Sequence, residues 1–229
     1  MMNKKILVVA AHPDDEVLGC GGAIYRWAQD GAEVSVLILA DGESSRKQQD
    51  ESGQNNLISM REKMAKEAGE ILGASSVKLV GFPDNRMDSV DLLDIVKNIE
   101  MEIDRIKPEI VLTHHAGDVN IDHRITHDAV ITACRPQPGH CVKQMAFFEV
   151  LSSTEWRPSA SDMHFCPNWF VDIEEALDKK IEALKVYESE LRLFPHSRSI
   201  DGVEYLAKFR GISAGLCAAE SFMLGRLIT

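Results

Sequence analysis

The chain has 229 residues, 45% of them hydrophobic and 27% charged, and a formal charge of −11 from 25 basic and 36 acidic side chains. These proportions suit an ordinary globular protein and exclude collagen-like, disordered and disulfide-scaffold classes. An acidic surplus with no Lys/Arg-rich run repels phosphate backbones and argues against nucleic acid as a partner, and no apolar stretch approaches the roughly 18 residues that cross a bilayer.

Ile6–Ala11 is a continuous apolar run, the pattern of a strand buried on both faces. It is shorter than the roughly 7–15 apolar residues of a secretory signal, and it runs into His12-Pro13-Asp14-Asp15-Glu16, so a cytoplasmic protein is expected. A helix is predicted over Glu16–Asp30 and closed by Gly31, then a strand over Glu33–Ala40. Asp41–Asn56 is polar and reads as a long mobile loop. A helix over Leu57–Leu72 has Gly73 at its C-terminus, where a left-handed residue commonly ends a helix. Next come a strand over Val77–Gly81, a Pro/Asp/Asn turn over Phe82–Asp88, a helix over Ser89–Ile106 and a strand over Glu109–Thr113. A helix starts near Asp122, and strands are expected at Gln144–Leu151 and near Trp169–Val171. Ile173–Glu190 and Val203–Leu227 read as helices.

Strand and helix alternate through the first 135 residues. That predicts an α/β sandwich of three layers, with a mostly parallel central sheet built from right-handed βαβ units. No linker or internal repeat divides the chain. One domain over 1–229 is expected, with residues 140–229 as a C-terminal extension packed on the core. The five cysteines (Cys20, Cys134, Cys141, Cys166, Cys217) form no CxxC, so neither a disulfide framework nor a thiolate metal site is indicated.

Two clusters carry chemistry. One is His12-Pro13-Asp14-Asp15-Glu16 after the first strand; the other runs from His114-His115 to Asp122-His123 after the fourth. In open parallel sheets ligands bind beyond the carboxyl ends of strands, where strand order reverses. Strands one and four are the usual neighbours there, so the clusters should meet in one crevice. Imidazole plus carboxylate suits zinc, and a catalytic zinc keeps three protein ligands and an open position. His12 and Asp15, three apart at a helix start, share one side of the turn. Asp14 then points elsewhere, free to take a proton from water, and His123 completes the set. A plainer account of cluster one is an ordinary helix N-terminus, where Pro and acids are favoured. The joint placement of the clusters favours the metal.

These residues resemble the AHPDDE signature of the LmbE-like, PIG-L-type zinc deacetylases, and Asn120-Ile121-Asp122-His123 is similar to the family's second, His-x-Asp-His loop. The resemblance covers most of the chain, but only these two motifs are highly specific. It implies a Rossmann-like fold, one Zn2+ per chain, and hydrolysis of the N-acetyl group of a small amino-sugar substrate. It implies His12, Asp15 and His123 as ligands and Asp14 as general base. Family members often self-associate, so a homo-oligomer is compatible with the resemblance.

The chain departs from the pattern at Asn120, where many members carry His. Asn can donate a hydrogen bond to a developing oxyanion but cannot deliver a proton at neutral pH. His127, one helical turn after His123, and His196, in the loop Pro195-His196-Ser197-Arg198, are candidates for the missing acid, His196 being preferred. Arg61, beside Glu62, resembles a position that holds substrate or a ligand carboxylate; Asp122 is expected to support His123 or Asp14, and Asp118 to act likewise.

Asn120 also keeps a second reading open, that of a catalytically weak or non-enzymatic relative binding zinc and sugar. A metal phosphoesterase would want a second metal and more carboxylates. Gly19-Cys20-Gly21-Gly22 lies too far from the strand end to be a dinucleotide fingerprint. Gly211-Ile212-Ser213-Ala214-Gly215 matches a nucleophile elbow in letters only, since no His follows it.

Overall fold

A computed structural model of the chain describes residues 2–45, 51–158 and 163–229, without the side chains of 51–55. The elements are β1 (Lys5–Ala10), α1 (Asp15–Gln29), β2 (Glu33–Ala40), α2 (Glu51–Ile71), β3 (Ser76–Phe82), α3 (Leu92–Ile106), β4 (Ile110–His114), α4 (Ile121–Ala133), β5 (Gln144–Phe148), β6 (Trp169–Asp172), α5 (Leu177–Val186), α6 (Ile200–Ile212) and β7 (Ala219–Leu227). The seven strands form one sheet in the order β3-β2-β1-β4-β5-β7-β6. Strands β1 to β5 pair in parallel, and β7 runs antiparallel to both β5 and β6.

Alternate residues of the central strands feed opposite layers. Ile6, Val8 and Ala10 pack with α1, α2 and α5 on one face, while Leu7 and Val9 pack with α3 and α4 on the other. Burial on both faces is why these strands read as unbroken apolar runs. The chain winds outward from β1 through β2 to β3, then crosses back to place β4 on the other side of β1. The carboxyl ends of β1 and β4 are therefore neighbours at the reversal, as expected.

Three segments differ from the expectation. Residues 203–227 are not one helix: α6 ends at Ile212, Gly215 turns the chain with φ +75°, and β7 follows. No residue of Ala219–Leu227 is β-branched, and the strand is set by pairing on both sides rather than by local preference. The helix α2 begins at Glu51, inside the stretch read as a loop; its first apolar residue is Leu57, which is where a periodicity signal starts. Of the rest of that stretch, 41–45 turn after β2 and 46–50 lie outside the described residues. Finally, residues 140–229 do more than cover the core: they extend the sheet by β5, β7 and β6.

Helix α1 is kinked at Cys20 (φ −150°, ψ 22°), which frees backbone N–H groups within it. The buried Glu220 of β7 accepts from Gly22 N (2.9 Å) and Ala23 N (2.7 Å). Lys180 of α5, also buried, donates to Glu220 (2.6 Å) and to the carbonyl of Leu18 (2.8 Å). This pair ties the last strand and α5 to the helix that carries the first cluster. Lys180→Met should cost about 3–5 kcal/mol in urea unfolding, because it strands a buried carboxylate, and adding Glu220→Gln should recover part of that. A single variant as stable as the parent would show the pair to be dispensable.

Candidate metal centre

The first cluster leaves β1 and enters α1 through a sharp turn. Asp14 occupies the N-cap position of α1 with φ 118° and ψ −25°, a left-handed conformation costly for any residue but glycine. Asp is a favoured capping residue, yet the Asp14 carboxylate makes no capping bond. The turn instead sends it into a cavity of about 220 Å3, which His12, Arg61, Asp84, Asn120, His123, Ser153, Glu190 and Arg198 also line. A larger hollow of about 310 Å3, at Tyr25, Arg26 and Asp172, sits by the opposite end of α1 and holds none of this chemistry.

His12 Nδ1 lies 3.1 Å from Asp15 Oδ2, and His123 Nε2 lies 3.1 Å from that oxygen and 3.3 Å from His12 Nδ1. Donors held tetrahedrally at zinc distances of about 2.0–2.1 Å are themselves about 3.3 Å apart, so the triangle fits one such ion. The outer nitrogens of both imidazoles supply a second observation. His12 Nε2 meets Asp122 Oδ2 at 3.1 Å, and His123 Nδ1 meets Asp118 Oδ2 at 3.1 Å. A carboxylate behind each histidine fixes the tautomer that aims the other nitrogen at a metal. Asp118 is anchored by the hydroxyls of Ser153 and Thr154 (2.7 Å from Thr154), and Asp122 Oδ1 accepts from Met87 N at 3.0 Å.

The charges agree with this arrangement. Burial would raise Asp15, but the charge of His123 and bonds from both imidazoles hold its carboxyl well below the usual range. Burial would lower His123, but Asp15 and Asp118 lift it to about 9. Burial pushes Asp14 up to about 7 against the opposing pull of Arg198. His114, fully buried, accepts from Ala11 N at Nε2 (2.8 Å) and stacks on His123 with ring centroids 4.0 Å apart; burial keeps its ring neutral.

Placement of the remaining sequence candidates is mixed. Asp118 and Asp122 both stand behind ligand histidines, with Asp122 serving His12 rather than His123 or Asp14. Arg61 lines the cavity, but its partners are Glu43 (2.5 Å) and Glu190; Glu62 pairs with Lys66. Asn120 lines the cavity and caps α4, its Oδ1 accepting from Asp122 N at 2.8 Å and its Nδ2 donating to Asn85 at 3.0 Å. His127 turns away, with Nδ1 on the carbonyl of His114 at 2.9 Å. His196 is not among the cavity-lining residues: its Nδ1 accepts from Arg198 N at 3.0 Å and its ring meets Trp156 edge-on.

The sequence reading missed Asp84 and Arg198. Asp84 follows the carboxyl end of β3, where the strand-end rule would have flagged it, and its Oδ1 lies 3.4 Å from His12 Nε2. Ser44 and Ser45, in the turn after β2, bind Asp84, and Gly42 lets that turn close: its φ is +75°, and a Cβ there would lie 2.9 Å from Pro13 Cδ.

Comparison with known proteins adds four findings. The family described as PIG-L, GlcNAc-PI de-N-acetylase, matches residues 7–134. The chain is 31% identical over 194 residues to the uncharacterized deacetylase YaiS of Escherichia coli K12, covering 81% of this chain and 91% of that protein. It is 26% identical to a probable N-acetyl-alpha-D-glucosaminyl L-malate deacetylase 2 of Bacillus anthracis, covering 83% of each. Among solved structures, GalB of Pseudomonas putida KT2440, a 4-carboxy-2-hydroxymuconate hydratase, superposes with a TM-score of 0.75 at 26% identity, covering 99% of this chain and 98% of that one.

Proposed function

The chain belongs to the PIG-L family, and from that premise we propose that it hydrolyses the N-acetyl group of an amino sugar or its conjugate, releasing acetate and a free amine. The observation that carries the reading is the three-donor triangle of His12, Asp15 and His123 with Asp14 beside it, turned into the cavity and kept from capping duty. The donors fit one zinc ion per chain, which when bound would polarise the acetyl carbonyl and acidify water.

The chain's own residues do the rest. Asp14 takes a proton from the water that attacks the acetyl carbon. The new C–O bond forms, and the proton then passes to the amide nitrogen as the C–N bond breaks. Burial favours the protonated form of Asp14, which helps the carboxyl act as the acid in this second step. Arg61, Asp84 and Asn85, with Ser45 and Ser152, give the cavity wall the mixture of fixed charge and hydroxyl groups that suits a polyhydroxylated ring. No helix among the described residues is long and apolar enough to cross a membrane.

The test is acetate release from a panel of N-acetylhexosamine derivatives, including free, phosphorylated and glycosidically linked forms. Acetate should appear together with a primary amine, in a reaction lost on chelation. GalB shows that this fold also carries a hydratase, so an unsaturated carboxylate belongs in the panel. Hydration of that compound without acetate release would overturn the deacetylase reading. Zinc and sugar binding without turnover would favour the non-enzymatic one.

A further inference from the structure

The geometry points to Arg198 as a catalytic residue of this hydrolysis, one that fixes one oxygen of Asp14 and leaves the other to take the proton. The inference rests on the deacetylase reading and adds a residue to it. Arg198 lies 184 positions from Asp14, in the segment between α5 and α6. Its Nη1 is 3.1 Å from Asp14 Oδ2.

The backbone of Asp14 is held by other groups. Its N–H donates to Glu16 Oε2 at 3.0 Å, and its carbonyl accepts from Val17 N and Leu18 N. Glu16 is steadied in turn by the Tyr187 hydroxyl at 2.7 Å. None of these bonds orients the carboxylate. Among the described residues only Arg198 donates a hydrogen bond to it, and only to Oδ2. Oδ1 is left as the oxygen with lone pairs to spare.

Arg198 is itself fixed. Its Nε donates to Ser152 Oγ at 2.9 Å, its backbone N–H donates to His196 Nδ1 at 3.0 Å, and Glu190 lies 4.0 Å from Nη1. His196 thus acts on the site through Arg198. The Nη2 group makes no hydrogen bond among the described residues, so the guanidinium keeps donors for the substrate. Of the cavity's other polar donors, Arg61 binds Glu43 and Glu190, not Asp14, through Nε and Nη2, and Asn120 donates to Asn85 while its Oδ1 caps α4.

A fixed guanidinium suits the charge movement of the reaction. Before the attack it faces the Asp14 carboxylate. When the proton moves from water to Oδ1, Asp14 becomes neutral and the negative charge passes to the carbonyl oxygen of the substrate. The guanidinium is the counter-charge in both states, and it never loses its proton at working pH. Proton and charge balance within water, Asp14 and the acetamide.

The test compares the wild type, Arg198→Ala, Arg198→Lys and, as a surface control from the same segment, Arg192→Ala, all with zinc content measured. Arg198→Ala should lower kcat about 10²–10³-fold, similar to loss of one preorganised donor, with zinc content unchanged. Arg198→Lys should fall between, because a point charge cannot replace the fork. Guanidinium ion, at concentrations that leave the fold intact, should raise the rate of Arg198→Ala at least about tenfold and leave the wild type unaffected. A purely structural role would not give that rescue. A wild type that releases no acetate overturns the deacetylase reading and this role with it. An active wild type with kcat of Arg198→Ala within about threefold of it overturns the role of Arg198 alone. So does a folded, zinc-loaded Arg198→Ala that guanidinium does not rescue. If Arg198→Ala fails to fold, Arg198→Lys decides, and full turnover in that variant overturns the inference.

Discussion

Asp14→Asn is expected to lower turnover about 10²–10⁴-fold, the usual loss for a missing general base, while the protein still binds about one divalent ion per chain. The substitution is clean for local reasons. Asn tolerates left-handed backbone conformations about as well as Asp, so φ 118° is not a confounding strain. Its amide oxygen can still accept from Arg198 Nη1, so the contact across the cavity survives. Neither carboxylate oxygen of Asp14 belongs to the donor triangle. What is removed is the capacity to take a proton, together with the carboxylate charge that faces Arg198. Asp15→Asn has the same chemistry one residue along and should behave differently. Asp15 Oδ2 is the atom both histidines face, and the metal should be lost with the activity. Rate and metal content measured on the same preparations separate the two outcomes. Full activity in Asp14→Asn would remove the general-base role and shift attention to a carboxylate such as Asp84.

Much of this site was legible before any coordinates. The βαβ alternation predicts a parallel sheet, strand-end logic places the two clusters together, and the three-residue spacing of His12 and Asp15 puts them on one side of a turn. What escaped was of another kind. β7 is a strand because two edges pair with it, and nothing in Ala219–Leu227 announces that. Arg198 reaches Asp14 from a segment whose position depends on where β6, α5 and α6 pack, so no local pattern marks it. His196 was the more conspicuous residue there, because histidine suggests acid-base work, yet its ring positions the arginine two residues on. Asn120 reads from chemistry as an oxyanion donor, and its place before Ile121 also makes it a helix cap, with its Oδ1 on Asp122 N and one of its two amide hydrogens on Asn85. Asp118 and Asp122 were visible as acids near a ligand, but which histidine each supports is set by the crossing of β1 and β4.

The ligand set gives the other large effect. His123→Ala should reduce bound zinc to near background and abolish acetate release, and His12→Ala should do the same. Three donors is the usual complement of a catalytic zinc, and two leave it weakly held. The loss cannot be assigned to general instability if the supporting acids grade as their geometry demands. Asp118→Asn and Asp122→Asn each leave all three donors in place, but weaken the orientation and basicity of one imidazole. Each should therefore lower zinc affinity about 10–100-fold, with activity recovering as zinc is added. His123→Ala should show no such recovery. Asp118→Asn should be the more harmful of the two, because His123 is 1% exposed and its outer nitrogen has no water to replace the carboxylate, whereas the side chain of His12 is 13% exposed. Zinc titrations monitored by elemental content and by acetate release would show the ordering. Unchanged zinc in both histidine variants would mean that the triangle is not the metal site.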